Sequence, residues 1–178
     1  MSAQADALMG IFGMKRVTPC APIPKKAKKP KRPSLPSLIT KADTITSQYI
    51  RQKYADENGY VKCVSCLTVL HWKDMHCAHF IGRAKKATRW LEENLHPACC
   101  SCNTFRKEYH MREYTIFIID FYGREKLDEL RTLGETVLSA SQVRALAEEA
   151  IEYYSGALNG RLDTQGRNPQ PFGHPDFA

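Results

Sequence analysis

The chain has 178 residues, enough for one domain of ordinary size with tails but not for two sizeable cores. Its formal net charge at pH 7 is +7, no run approaches the roughly 18 apolar residues of a membrane span, and residues 1–14 lack the features of a secretory signal. These properties predict a cytoplasmic protein without membrane contacts. In a reducing compartment, its seven cysteines favour metal ligands or reactive thiols over disulfides.

The first 36 residues form a basic segment that is rich in proline. They hold eight basic residues against Asp6, whereas the remainder carries 18 basic and 18 acidic residues. Repeated prolines prevent a helix here, and little apolar surface is available to bury. We predict a disordered arm over residues 1–36 that binds nucleic-acid phosphates, chiefly through Lys25, Lys26, Lys28 and Lys29. A solubilising linker is the alternative interpretation.

Ordered structure is expected from about Ser37. Thr40 and Asp43 are candidate caps of a first helix that leads into the cysteine region. Its apolar residues at helical spacing are Leu38, Ala42, Ile45, Tyr49 and Tyr54.

Two C-x2-C pairs, Cys63 with Cys66 and Cys99 with Cys102, lie 32 residues apart. Each short pair can present two thiolates to one tetrahedral ion, so the sequence predicts a structural zinc. Four thiolates close the coordination sphere and leave no open position for catalysis. Cys100 could replace a neighbouring ligand, but its spacing to Cys102 is poorer.

The segment between the pairs carries further polar residues. A short strand is predicted to end at His79, a basic loop with Arg83 follows, and a helix is expected from Asn103 to about Tyr109. On such a helix Arg106 and Lys107 share the face of Asn103. His96, in the second cysteine motif, is predicted to be a structural hydrogen-bonding group.

This set of side chains suits the hydrolysis of a phosphodiester bond. A neutral imidazole can take a proton from water at neutral pH. A divalent cation held by an amide oxygen can stabilise the charge that grows on the phosphate. Arginine and lysine can clamp the phosphate itself.

The last third of the chain is predicted to be helical. Two helices are expected at Tyr114–Tyr122 and Arg124–Leu133, separated by Gly123. Ser139 and Gln142 form a capping box before a further amphipathic helix. Residues 161–178 are predicted to be a flexible tail.

The order of these motifs resembles that of the zinc-containing HNH endonucleases, and most of all the NinG (Rap) recombination nucleases of lambdoid phages. The likeness covers about residues 38–134 and includes Ala78-His79-Phe-Ile-Gly-Arg83 and Asn94-Leu-x3-Cys99-x2-Cys102-Asn103-x3-Lys107. It implies an α+β fold with a small ββα-metal, treble-clef-like core over residues 37–112. Residues 113–160 would form a helical region that packs on this core.

The resemblance also implies an activity. The protein would be a phage-encoded endonuclease in the host cytoplasm that hydrolyses branched DNA recombination intermediates, such as Holliday junctions or D-loops, with Mg2+ or Mn2+. Symmetric cutting would call for a homodimer, and phage recombination proteins are further candidate partners. The alternative is a non-catalytic zinc module that binds DNA or a partner protein, and cleavage of RNA is a third option.

Individual residues take the family's roles by position. His79 matches the general base and Asn103 the ligand of the catalytic ion. Asn94 matches the middle asparagine, which maintains the geometry of the loop. Arg83 and Arg89 match the basic positions and, together with Arg106 and Lys107, are expected to bind DNA.

The chain departs from the pattern around the second metal ligand. Ala78 stands where many HNH enzymes have a ligand, and His76 stands where related nucleases have an aspartate. On an unbroken strand His76 would face away from His79. We therefore expect the catalytic ion to rest on Asn103 and water, with His76 or no residue as its second ligand.

Overall fold

The computed structural model describes residues 32–160, so the four arm lysines and the tail at 161–178 lie outside the described residues. The described part combines α-helices with short antiparallel strands, which confirms the predicted α+β class. Its helices are α1 (Leu35–Lys53), α2 (Lys107–Tyr122), α3 (Arg124–Gly134) and α4 (Ala140–Leu158). Its strands are β1 (Tyr60–Lys62), β2 (Val69–His71), β3 (His76–His79) and β4 (Leu95–Ala98).

The strands form two antiparallel pairs. Tyr60 pairs with His71 in the β1–β2 sheet, and His76 pairs with Ala98 in the β3–β4 sheet. A backbone hydrogen bond of 2.9 Å from Val64 to Pro97 joins the turn after β1 to the buried strand β4. This bond brings the first cysteine motif next to the second.

Helix α1 begins earlier than the sequence analysis predicted. Its N-cap is Ser34, whose hydroxyl accepts a hydrogen bond from the Ser37 amide, rather than Thr40 or Asp43. Pro36 lies in the first turn, where the missing N–H has no helical partner to lose and the fixed φ favours a helix. Residues 35 and 36 therefore belong to the helix and not to the arm.

Helices α1 and α4 pack against each other, and α1 also packs against strands β3 and β4. Ala42 and Ile50 of α1 and Ala147 of α4 are completely buried. Tyr49 and Tyr154 contact each other with ring centroids 5.0 Å apart, and the Tyr154 hydroxyl donates to the Trp90 carbonyl at 2.7 Å. The predicted capping box is present at the start of α4.

The helix predicted to open at Asn103 is different in the structure. A π-helical turn, Ser101–Phe105, follows β4, and α2 begins only at Lys107. Helix α2 then runs to Tyr122, so the predicted boundary at residue 112 falls inside one continuous helix. Gly123, with φ at +90°, separates α2 from α3 as predicted. Among residues 32–160, no helix is long and apolar enough to cross a bilayer.

Candidate metal centre and adjoining cleft

The four predicted zinc ligands lie together in the structure. The Sγ atoms of Cys63, Cys66, Cys99 and Cys102 are within 4.8 Å of one another, and those of Cys66 and Cys99 are 3.7 Å apart. A tetrahedral zinc with bonds of about 2.3 Å would separate its thiolates by roughly 3.8 Å. The cluster therefore fits a structural metal such as zinc. Cys100 is exposed and does not belong to it.

Local backbone geometry prepares both halves of this centre. The first half is a tight turn in which the Cys63 amide donates to Thr68 at 2.9 Å and Leu67 adopts a left-handed φ of +59°. In the second half, the Cys102 amide points at the Cys99 sulfur at 3.4 Å, and the Asn103 amide donates to the Cys99 carbonyl at 3.0 Å. The metal centre thus fixes the turn that carries Asn103.

An open cleft of about 840 Å³ lies next to the β3–β4 sheet. Helix α1, strand β3, the loop after β3 and the π-helical turn all contribute to it. Five residues that the sequence had pointed to meet here: His76, His79, Arg83, Asn103 and Lys107. These five residues bring two imidazoles, one amide and two cations together from segments far apart in the chain.

His79 is a partly buried imidazole in this cleft. Burial, followed by the positive charge of Arg83, lowers the pKa of His79 to about 4, although nearby Asp43 and a hydrogen bond with the Arg89 backbone act in the other direction. At neutral pH the ring is uncharged, so one of its nitrogens carries a free lone pair. Such a ring can accept a proton from a nearby water molecule.

His76 lies beside Asn103, at 3.2 Å from its Nδ1 to the Asn103 Nδ2. The expectation that His76 would face away from His79 is wrong, because both residues line the same cleft. The physical reason is the topology: His76 is at the start of β3 and pairs with Ala98, directly before the turn that carries Asn103. The turn therefore folds back over the start of the strand.

Asn94 is completely buried and does not line the cleft. Its Oδ1 accepts a hydrogen bond from the Ile81 amide at 2.6 Å. Its Nδ2 donates to the carbonyl oxygens of Ile81 at 3.0 Å and Thr88 at 2.8 Å. Asn94 thus closes the loop between β3 and β4, which carries Arg83, and acts as a positioning residue.

Arg89 was predicted to contact DNA, but the structure buries it. Its guanidinium forms a bidentate pair with Asp43, at 2.9 and 2.5 Å, and also donates to the Arg83 carbonyl. Burial acts against the charge on Asp43, yet the bonds and charge of Arg89 hold the pKa of that carboxyl below its usual value. Arg89 therefore anchors the Arg83 loop to α1 and is not available to a phosphate.

Arg106 also differs from its predicted position. Its guanidinium lies over the Tyr109 ring, 4.3 Å from the centroid, and it is not among the residues that line the cleft. The π-helical turn changes the angle between successive side chains, so Arg106 no longer shares a face with Asn103 as it would on an α-helix. Lys107 does reach the cleft.

Four residues that line the cleft were not predicted from the sequence: Ser47 and Arg51 of α1, and Met75 and Cys77 at the start of β3. Arg51 donates to the Ser47 carbonyl at 3.0 Å and to the carbonyls of Trp72 and Met75, both at 3.2 Å. Ser47 and Arg51 are four residues apart and therefore lie on one face of α1. This spacing alone does not indicate what that face contacts.

His96 has the structural role that was predicted for it. It is fully buried, with Nδ1 at 2.9 Å from the Tyr114 hydroxyl and Nε2 at 3.0 Å from the Tyr122 hydroxyl. Burial, with a smaller effect from Lys53, lowers the pKa of His96 to about 3. This neutral ring ties β4 to α2.

Taken together, these elements define an α+β protein with a four-cysteine cluster beside a cationic cleft. The family model described as Bacteriophage Lambda NinG protein matches residues 22–156, and the chain belongs to that family. The predicted NinG resemblance is thereby confirmed. No curated protein and no solved structure matches the chain.

Proposed function

We propose that this protein is a metal-dependent DNA endonuclease that hydrolyses phosphodiester bonds in branched recombination intermediates of a phage. The observation that carries the proposal is the meeting of His79, His76 and Asn103 in one open cleft with exposed cations. Membership of the phage NinG family supports it. The succession of β3, β4 and α2 fits the ββα-metal core of the HNH endonucleases.

His79 acts in this proposal as the general base that takes a proton from the attacking water. In the free protein, burial and Arg83 keep its pKa low. A DNA phosphate bound at Arg83 would offset that positive charge and raise the pKa of His79 towards the operating pH, where a base is most effective. Substrate binding would therefore strengthen the base.

Asn103 and His76 are the residues that would hold Mg2+ or Mn2+. Their facing side-chain atoms are 3.2 Å apart, and neighbouring ligands of an octahedral ion with bonds of about 2.1 Å lie roughly 3 Å apart. Turning the Asn103 amide about its last bond presents its oxygen at the same place. When bound, such an ion stabilises negative charge on the phosphate and the leaving oxygen.

The remaining cleft residues would bind and orient the substrate. Arg83 and Lys107 are exposed cations at the cleft, suited to phosphate oxygens. Asn94 and Arg89 hold the loop that places Arg83. The four-cysteine cluster has a closed set of ligands and would act on folding, not on the reaction.

The test is a cleavage assay with the zinc-loaded full chain. Four-way junctions, D-loops, linear duplexes, single strands and an RNA duplex are incubated with Mg2+, with Mn2+ and without an added divalent ion. We expect cleavage of branched DNA that depends on the divalent ion. His79→Ala should keep its zinc, thermal stability and DNA affinity yet lose activity by ~10²-fold to 10⁴-fold, as expected for a general base. His71→Ala, which removes an imidazole outside the cleft, is the matched control.

Asn103→Ala separates the roles of base and ion. Its activity should fall as well, but a higher concentration of Mn2+ should restore part of it, whereas no metal concentration should rescue His79→Ala. Equal cleavage by the wild type and His79→Ala would place the active site elsewhere. If the wild type cuts no member of the panel with either ion, the zinc-binding interaction module replaces the nuclease.

A further inference from the structure

Phe105 is exposed to an extent that its chemistry does not explain. The residue is 77% exposed, and no aromatic residue within 32–160 is more exposed. A phenyl ring has no polar group to hold in water, and most such rings contribute to a core. A binding partner that covers such a ring gains the free energy of burying its apolar surface.

The backbone at Phe105 lies beside the cleft, although its side chain is not among those that line it. Phe105 lies two residues after Asn103 and two residues before Lys107, both of which line the cleft. Because consecutive Cα atoms are 3.8 Å apart, its Cα is within about 7.6 Å of both of theirs. A ligand that extends out of the cleft on this side passes close to Phe105.

The backbone under Phe105 is held from both sides. The Asn103 amide donates to Cys99 and the Arg106 amide to Ser101, each at 3.0 Å, within a turn that begins at the four-cysteine cluster. π-helical turns of this kind are frequent at functional sites. The backbone that carries the ring is therefore already ordered, and binding has to fix only the side chain.

Cations flank Phe105 in the chain and line the adjoining cleft. Arg83, Arg106 and Lys107 are exposed, and in the part of the chain that the structure describes no carboxylate pairs with any of them. Arg106 is held in place by the Tyr109 ring. The surface thus offers cations for phosphate contacts next to the planar, apolar Phe105 ring. This combination suits nucleic acid, in which bases and phosphates are close to one another.

We propose that Phe105 is a wedge that stacks on a base at a DNA branch point and thereby selects branched DNA over continuous duplex. The inference rests on the proposed function, because it concerns the substrate of the same cleft. In a continuous duplex every base is already stacked on both faces, and inserting a side chain first requires unstacking. At a branch the terminal base pair has one open face, so the ring can stack without that loss.

The test measures the affinity for a four-way junction and for a linear duplex of equal length. The full chain carries His79→Ala to prevent cutting, and no divalent ion is added. Adding Phe105→Ala should weaken junction binding by roughly 5-fold to 150-fold, the range of one base–aromatic stack, and leave duplex binding unchanged. Val137→Ala, at an apolar residue that is 93% exposed, is the matched control and should change neither affinity.

Two further variants test whether the planarity of the Phe105 ring matters. Phe105→Trp should keep the preference for the junction, whereas Phe105→Leu, which is apolar but not planar, should lose it. Zinc content and thermal midpoint show that each variant is folded. Equal weakening on both DNAs, or no weakening on either, overturns the wedge. If the preference depends on Phe105 but the wild type cleaves nothing with Mg2+ or Mn2+, the wedge stands and the proposed nuclease fails.

Discussion

At the level of single residues, the imidazole of His76 beside the Asn103 amide bears on the choice of divalent ion. An imidazole is a softer ligand than a carboxylate and favours Mn2+ over the harder Mg2+. We expect faster cleavage with Mn2+ in the wild type, and we expect His76→Asp to raise the Mg2+-supported rate relative to the Mn2+-supported rate. The measurement is the ratio of the two rates for both proteins. An unchanged ratio would place the ion away from His76.

The buried side chain of Asn94 is expected to make a large contribution to stability. Its side chain makes three hydrogen bonds to the loop backbone while completely buried. Asn94→Ala leaves those backbone groups without partners, and each buried unsatisfied group costs about 1–3 kcal/mol. The free energy of unfolding, measured in urea, should therefore fall by about 3 kcal/mol or more. Asn58→Ala, at an exposed asparagine, should change it by less than about 0.5 kcal/mol. A loss below about 1 kcal/mol for Asn94→Ala would contradict this account.

At the level of elements, the four-cysteine cluster joins the turn after β1 to the π-helical turn. Because the free energy of zinc binding contributes to folding, Cys102→Ser should lower both the zinc content and the thermal midpoint. Cys100→Ser is a sharp control, since it removes a neighbouring thiol that is exposed and outside the cluster. Metal analysis gives the zinc content of the two variants, and thermal unfolding gives their midpoints. Equal zinc content and equal thermal midpoints in the two variants would exclude the four-cysteine site.

The elements also show how far the sequence could predict the structure. Periodic apolar residues, the capping box and Gly123 identified the helices, because these signals depend on neighbours along the chain. The π-helical turn carries no such local pattern, so the position of Arg106 could not be derived. Arg89 was misjudged for a related reason: its partner Asp43 is 46 residues away, on a helix whose packing partner the sequence does not name.

At the level of the whole molecule, histidines whose pKa values are lowered by burial make stability depend on pH; they are His79, His96 and, in the same direction, His110. The pKa values of His79 and His96 are lowered to about 4 and about 3, whereas an unfolded histidine titrates near 6.5. Below pH 6.5 the unfolded chain therefore binds more protons than the folded one, and the free energy of unfolding decreases as the pH falls towards 4.

Urea unfolding between pH 8 and pH 5 should show this decline, with little contribution from these histidines above pH 7. His96→Gln, which can still bond both tyrosine hydroxyls, should give a shallower decline because one titrating group is gone. It leaves all four cysteines in place, so loss of zinc at low pH affects both proteins alike. The same slope in both would show that His96 does not contribute.

The basic arm, whose lysines lie outside the described residues, is expected to contribute to DNA affinity. Arg144 donates two hydrogen bonds of 3.2 Å to the Pro33 carbonyl, and Ser34 caps α1, so a deletion must stop before Pro33. Removing residues 1–31 takes away seven basic residues and Asp6. DNA affinity should fall, and the slope of log affinity against log salt should become shallower by about 0.9 for each lost phosphate contact on duplex DNA.

Turnover on saturating substrate should stay the same, because the cleft is intact. The control keeps the arm at full length and replaces its four central lysines, Lys25, Lys26, Lys28 and Lys29, with glutamine. If charge is what acts, this variant should lose affinity and salt dependence in the same direction as the deletion, although by less, since three basic residues remain. An unchanged salt slope in both would mean that the arm does not touch phosphate and is a solubilising linker.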